Sequence, residues 1–493
     1  VEPGSPHGRA QESSRRARNR AWVVRLTVLG GAGEVGGNKI VLEDGDRRLL
    51  LDFGISFTRR GQFFEEYLAP RPAAGLADLL VTGVLPAERG LYRLDLLAIG
   101  GPGVPAPHTE PAVGALLLSH SHLDHAGHLG LLDARIPTYC SAASHGVLSV
   151  LQGLRGRAFE WEFLDFLQRP AFRDLRVTVS RRFELVEGEF TAGGFSCRAL
   201  PVDHSIPGSL AFLVRTSRGN VLYTGDLRFH GPDAADSEAM LDAARREGVW
   251  LLVTEGTRLD VLDQRTEDDV YRECIAAVAE TAGPVLADIA PRDVARMRTF
   301  LRIARESGRA LVITTRDAYL LETLRDLDPR VPDLRREPIL VLKERRQTGT
   351  YSDRDYQRWE RRVLARPSAR TADELRPMRD RCLLALGVWD VQNLVDIGAG
   401  EDALYIRSAS EAYTEEQAAD ERRMRNWLDL LGVRRHLHSH ASGHASQPDL
   451  VRLVRALGPE VLVPVHTEVP GLWRDLIPEV AVVEPAPGVP LEW

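Results

Sequence analysis

Between Ser119 and His125 the sequence reads Ser-His-Ser-His-Leu-Asp-His, which sets three imidazoles and a carboxylate within six positions at the end of the apolar run 115–120. Fourteen histidines in 493 residues seldom cluster this tightly by chance, and burying them without partners is costly. A metal ion offsets that cost. Imidazole nitrogen with carboxylate oxygen and no thiolate suits zinc, with manganese or iron as alternatives. Alternate side chains leave a strand end on different sides, so this loop can offer His120 and His122 to one ion and Asp124 and His125 to a second.

Two ions need more ligands than one loop holds. Downstream, Val202-Asp-His204-Ser205 supplies a histidine after a strand pattern, and Tyr223-Thr-Gly-Asp226 supplies a carboxylate after another. Taken alone, His204 or Asp226 reads equally well as a ligand or as a satisfied polar residue. Beside the 120–125 cluster they complete two sites. Asp226 would bridge the ions, roughly 3.5–4 Å apart with an activated hydroxide between them.

The order Asp52 at a strand end, H-x-H-x-D-H at 120–125, His204 and Asp226 resembles the metallo-β-lactamase superfamily. That resemblance implies an α/β fold, an αβ/βα sandwich with the site at one edge of its two sheets, and makes Asp52 the carboxylate that steadies the metal loop without touching metal. Toward the C-terminus, His438-Ser-His440-Ala-Ser442-Gly-His444-Ala-Ser446 and Val463-Pro-Val-His466 are similar to the closing motifs of the β-CASP nucleases of the ribonuclease J group. The segments GGAGEVGGNK, HSIPGS and YTGDLRF, and Glu255 in VTEGT, agree with it. The resemblance makes His466 a ligand to the second metal and has His444, held by Glu255, donate a proton to the leaving oxygen. Its physics is coherent: cleavage of a phosphodiester leaves an alkoxide that calls for a general acid, and a buried carboxylate partner raises a histidine pKa and fixes its tautomer. His440, Ser442 and Ser205 are candidate contacts to substrate phosphate. For His440 and Ser442 a locally satisfied polar turn is the competing reading.

By this resemblance the chain is expected to be a two-zinc phosphodiester hydrolase, with manganese possible, acting on single-stranded RNA as a 5′ to 3′ exonuclease, an endonuclease or both. Metal-activated hydroxide is the expected nucleophile. Histidine at 466 goes with the RNA-cleaving branch. The alternatives are a hydrolase of DNA or of a small ester or lactone on the same site, or an inactive nucleic-acid-binding scaffold. A small-molecule enzyme has no evident use for a large insert with an S-G-H-A-S motif, and every expected ligand is present, which weighs against the scaffold. Two departures stand out. A short stretch follows His466 in this sequence, so against the family pattern the C-terminal assembly domain is expected to be absent and the oligomeric state is left open. The family's Ala-Ser-Asn segment near the RNA 5′ end is replaced by Leu286-Ala-Asp-Ile-Ala-Pro-Arg-Asp293, where Arg292 reads either as a phosphate contact or as a surface arginine at a helix start.

The elements that must position these residues follow from patterning. Val23 to Asp52 alternates β-rich runs with glycine turns. Its Gly31-Ala-Gly-Glu-Val-Gly36 matches G-x-G-x-x-G, but a β-branched run and a turn follow instead of a helix, so a dinucleotide site is rejected. Phe57 to Pro111 reads as an irregular insertion with short helices that reshapes substrate entry. A helix is expected near 126–132, another over 142–154, and alternating helix and strand from about 260 to 410. The domains are thus 1–20 as a disordered basic tail, 21–257 and 416–493 as the two parts of the metallo-β-lactamase domain, and 258–415 as the inserted β-CASP domain. No apolar run approaches the roughly 20 residues needed to span a bilayer. Four scattered cysteines without a C-x-x-C pair suggest neither a disulfide framework nor a thiolate zinc site, and fit a reducing cytoplasm. The net charge of −7 argues against nonspecific coating of nucleic acid by an overall positive field, and leaves room for a local basic groove. Lysine occurs only at Lys39 and Lys343, a bias that suggests a GC-rich coding genome.

Overall fold

The computed structural model describes residues 23–65, 67–154, 168–170, 178–410 and 415–493. The basic segment 1–20 lies outside them. Two seven-stranded sheets face each other. In the first, the strands run in the order Pro490–Glu492, Val24–Gly30, Lys39–Asp44, Arg47–Phe53, Ala115–Leu117, Thr138–Cys140, Phe183–Leu185. In the second the order is Ala481–Val482, Val461–Pro464, Leu251–Thr254, Asn220–Tyr223, Leu210–Arg215, Phe195–Pro201, Gly188–Ala192. Period-two alternation explains the pairing: Val24, Leu26 and Val28 are fully buried while their neighbours are half-exposed, and they meet Phe195, Phe212, Val221 and Val253 of the other sheet in one apolar layer. Helices Ala234–Glu247 and Gln447–Leu457 cover the outer face of the second sheet. The αβ/βα sandwich is therefore present.

The chain leaves this sandwich between two adjacent parallel strands, Leu251–Thr254 and Val461–Pro464, and builds a third sheet in the interval. Its seven strands are all parallel, in the order Ala369–Thr371, Ile339–Lys343, Ala310–Ile313, Cys382–Ala385, Val285–Ile289, Leu404–Ser408, Arg435–His438. The last of these corrects the expected boundary at 415/416. Arg435–His438 pairs with Leu404–Ser408 rather than returning to the sandwich, and Met424, Leu428 and Val433 pack into the apolar layer on this third sheet. The edge strand is mostly polar and exposed, so its pattern carries no core-facing signal.

Other expectations shift by smaller amounts. The helix near 126–132 is a turn of helix at Leu123–Ala126 followed by a 3-10 turn at Leu129–Leu131, because the strand end and the histidine loop occupy the intervening backbone. The stretch from Phe57 to Pro111 does carry short helices. It covers the first sheet: Leu79, Leu91, Tyr92 and Leu97 are buried with Phe53, Leu116 and Leu118. All four cysteines are free and buried. No described helix is long and apolar enough to cross a membrane.

Candidate metal centre

Asp52, the 120–125 loop, His204, Asp226, Glu255 and His466 all lie at or just past the end of a strand. Asp52 is at the end of Arg47–Phe53, the 120–125 loop follows Ala115–Leu117, His204 follows Phe195–Pro201, Asp226 follows Asn220–Tyr223, Glu255 follows Leu251–Thr254 and His466 follows Val461–Pro464. Strands from both sheets deliver them to one edge of the sandwich. The glycine loop after Val24–Gly30 packs beneath. A Cβ at Gly36, where φ is +82°, would stand 2.9 Å from the Asp124 Cβ, and one at Gly54 would stand 1.6 Å from the Asp124 carbonyl oxygen. The loop joins antiparallel strands, so the rejected dinucleotide site is indeed no βα turn, and its Gly31 carbonyl accepts the His466 N–H at 2.7 Å.

Three groups of side chains converge, all sharing Asp226. They are His120, His122, His204 with Asp226; Asp124, His125, His466 with Asp226; and Glu255, His444, His466 with Asp226, the potential ligand atoms of each group lying within 4.8 Å of one another. Asp226 Oδ2 is 3.6 Å from His120 Nε2, 3.2 Å from His125 Nε2, 3.8 Å from His204 Nε2 and 3.6 Å from His466 Nε2. Burial holds His120 and His204 well below the usual imidazole range and brings His122 to about 4, so these rings keep free lone pairs. At His125 burial opposes the charge, but Asp226 and Asp124 outweigh it and raise the pKa.

The donor set fits a cation. His120 Nε2, His125 Nε2 and Asp226 Oδ1 are buried and have no hydrogen-bond partner. Leaving a buried polar atom unsatisfied costs about 1–3 kcal/mol, and of these three His125 Nε2 is relieved by its 3.2 Å approach to Asp226 Oδ2. Cations between these atoms remove that cost, and an all nitrogen and oxygen set is what zinc or manganese takes.

Around this cluster, hydrogen bonds hold each ring in place. Asp52 Oδ1 accepts from the Ser119 N–H at 2.7 Å, and its Oδ2 accepts from Ser119 Oγ at 2.6 Å, Tyr223 OH at 2.6 Å and His125 Nδ1 at 2.7 Å. His204 Nδ1 donates to the Gly443 carbonyl at 2.6 Å, and Thr257 Oγ1 meets His466 Nδ1 at 2.8 Å. His444 Nδ1 lies 2.8 Å from Glu255 Oε2 and 3.8 Å from Asp226 Oδ2. Burial opposes its charge, yet Glu255 and then Asp226 outweigh it, and the pKa rises to about 9.

The three candidate phosphate contacts differ. His440 Nδ1 faces Arg296 Nη1 at 3.2 Å, and burial together with that guanidinium lowers its pKa to about 3, so it is neutral. Ser442 Oγ accepts from the His444 N–H at 3.1 Å, which is the local polar turn. Ser205 lies against Gly443, where a Cβ would stand 2.6 Å from its Oγ. Arg292 is partly buried, with φ of +69°.

Sequence reasoning missed the ion pairs that anchor this wall. Arg296 is fully buried, binds Glu267 through two nitrogens at 2.7 and 3.0 Å, and donates to the carbonyls of Ser408 and Ala441. Arg228 pairs with Asp203 at 3.0 Å and donates to the Ser442 carbonyl at 3.2 Å. Asp203 and Arg228 stood inside segments that were singled out, yet nothing local marks them as partners.

Comparison with known proteins agrees with this geometry. A family model described as a beta-lactamase superfamily domain matches residues 94–286, and one described as a Zn-dependent metallo-hydrolase RNA specificity domain matches 433–471. The chain is 23% identical over 453 residues to a protein named Ribonuclease J from Pyrococcus abyssi, covering 90% of this chain and 90% of that protein. It is 24% identical over 473 residues to Ribonuclease J 2 of Streptococcus pyogenes, covering 94% and 72% respectively. Against Ribonuclease J of Sinorhizobium meliloti the identity is 24% over 378 residues, with 72% of this chain and 57% of that protein covered. A solved structure of a protein of unknown function from Enterococcus faecalis superposes with a TM-score of 0.72 at 21% identity, covering 96% of this chain and all of that one, which bears on the fold alone.

Proposed function

From the premise that this is a ribonuclease J-like chain of the metallo-β-lactamase and β-CASP type, we propose that it is a metal-dependent ribonuclease, a phosphodiester hydrolase holding two zinc or manganese ions and cutting single-stranded RNA. The observation that carries this reading is the position of Asp226: its carboxylate is within 3.8 Å of histidines from both triads and of His444. His120, His122 and His204 would hold one ion with Asp226, and Asp124, His125 and His466 would hold the second. Bound there, the ions supply Lewis-acid stabilisation of phosphate charge and activation of a water molecule.

The chain's own groups do the rest. Asp52 fixes the orientation of His125 and the backbone at Ser119. Glu255 accepts a hydrogen bond from the Nδ1–H of His444, which leaves the Nε2–H as the proton available to the departing oxygen, and at neutral pH a group with a pKa of about 9 is protonated. RNA is favoured over DNA by the match over 433–471 and by the names of the relatives. The test is a time course on end-labelled single-stranded RNA and DNA of one sequence, with 5′ phosphate or 5′ hydroxyl, with zinc or manganese and with chelator. Metal-dependent cleavage confined to RNA is expected, as mononucleotides for a 5′ to 3′ exonuclease or as internal cuts for an endonuclease. RNA left intact under every metal condition would overturn the proposal.

A further inference from the structure

In the third sheet, the connections that follow two neighbouring strands part to opposite faces. Helix Val294–Glu306, which follows strand Val285–Ile289, packs Met297, Phe300 and Ile303 on the face that carries Val285 and Ala287. Helix Glu415–Leu431, which follows strand Leu404–Ser408, packs Met424 and Leu428 on the face that carries Leu286 and Tyr405. The two strands are parallel neighbours. A switch of faces of this kind leaves a crevice at the carboxyl ends of the strands, which is where open parallel sheets take their ligands.

The crevice here is a cleft of about 610 Å³, the size of a small-molecule site. None of its lining residues belongs to the metal centre. Ile289, Pro291 and Met424 give it apolar wall, and Asp288, Arg425 and His438 give it polar groups. Asp288 is half-buried; its Oδ2 accepts from Tyr405 OH at 2.9 Å, and its Oδ1 accepts no hydrogen bond among the described residues. Arg407, its register partner in the next strand, is committed to Glu421 and to the Ser410 carbonyl. Burial raises the Asp288 pKa, with Tyr405 and then Arg407 opposing. The carboxylate is thus short of donors. Arg425 and His438 are exposed and make no hydrogen bond or ion pair among the described residues. These groups together suit an occupant with an apolar body, N–H donors on one edge and an anion elsewhere.

We propose that this crevice is a guanine nucleotide site, with the base on the apolar wall, its N–H edge on Asp288 and its phosphate on Arg425 and His438. Guanine sets two donors side by side, N1–H and the 2-amino group, and an ionised carboxylate offers only acceptors. Adenine, cytosine and uracil each set an acceptor beside a donor on that edge, which a carboxylate disfavours. The site goes beyond the proposed cleavage and needs no metal.

The experiment is calorimetry on the full chain, as purified and again under chelation, with GMP, AMP, CMP, UMP and guanosine. GMP should bind about 10-fold or more tighter than the other nucleotides, the worth of one hydrogen bond to a charged group, and chelation should not change this. Asp288→Asn should weaken GMP about 10- to 100-fold at an unchanged melting temperature. Arg425→Ala, at an exposed residue, should weaken GMP about 10-fold and leave guanosine unchanged. If Asp288→Asn lowers the melting temperature as well, Arg425→Ala decides alone. Equal binding of all four nucleotides, GMP binding that ignores Arg425→Ala, or binding that vanishes under chelation would overturn the proposal. A guanosine-ended oligoribonucleotide that displaces GMP would make the base of a bound strand the occupant, and one that does not would make it the free nucleotide. RNA cleavage by a protein that binds no GMP would overturn this site and keep the ribonuclease. GMP binding by a protein that cuts no RNA would do the reverse.

Discussion

Asp124 reaches across the centre to His466, Oδ2 to Nε2 at 3.2 Å. It sits in the single helical turn Leu123–Ala126 at the edge of the sandwich, so Asp124→Ala is expected to abolish cleavage while circular dichroism and melting change little. Retained activity would remove it from the metal set. His444 makes a different prediction, because its pKa is raised by Glu255 and Asp226 over the opposing effect of burial. A group raised to about 9 carries its proton at lower pH and loses it as pH climbs, so kcat should fall on the alkaline side near pH 9. Glu255→Gln should move that fall to lower pH, and His444→Ala should slow cleavage by roughly 10²–10⁴ with zinc content unchanged. Zinc lost in parallel would make His444 a ligand instead. Asp52→Asn should weaken metal binding by roughly 10- to 100-fold, read by competition with a chromophoric chelator. At this scale the sequence was legible wherever chemistry concentrates at a strand end. Arg296 and Glu267, or Arg228 and Asp203, were not, because each reads as an ordinary surface charge until the fold brings in a partner 29 or 25 positions away and buries both.

Between elements, the insert is docked by helix Ala142–Leu154 crossing Thr315–Leu324. Their contact passes over Gly146, where a Cβ would stand 2.8 Å from Leu327 Cδ1 and 2.9 Å from Leu324 Cδ2. Gly146→Leu should therefore cost about 1–3 kcal/mol by overpacking and lower RNA cleavage with zinc retained; an unchanged melting temperature would show that the crossing adapts. Helix Ala142–Leu154 was legible because its apolar positions recur with helical spacing. The bound at 415/416 set Arg435–His438 with the sandwich, whereas the strand belongs to the third sheet. A polar edge strand has no buried face to declare which sheet it joins, and only the parallel ladder to Leu404–Ser408 decides it.

Across the whole molecule, the insertion between two adjacent parallel strands lets the third sheet stand over the metal edge, so the His438 to Ser446 segment leaves one sheet and closes the site of the others. An overall charge of −7 then limits nonspecific polyanion binding and leaves affinity to this local wall. Ions that bind only the native state would stabilise the fold by about 2.7 kcal/mol at a hundredfold excess over Kd. Chelation should lower the melting temperature by several degrees. The most direct test of the account is a zinc titration of chelator-treated protein, with bound metal and RNA cleavage read at each step. Two equivalents bound per chain, with cleavage rising as the second site fills, is the predicted result. Saturation at one equivalent, or cleavage that survives chelation, would contradict it.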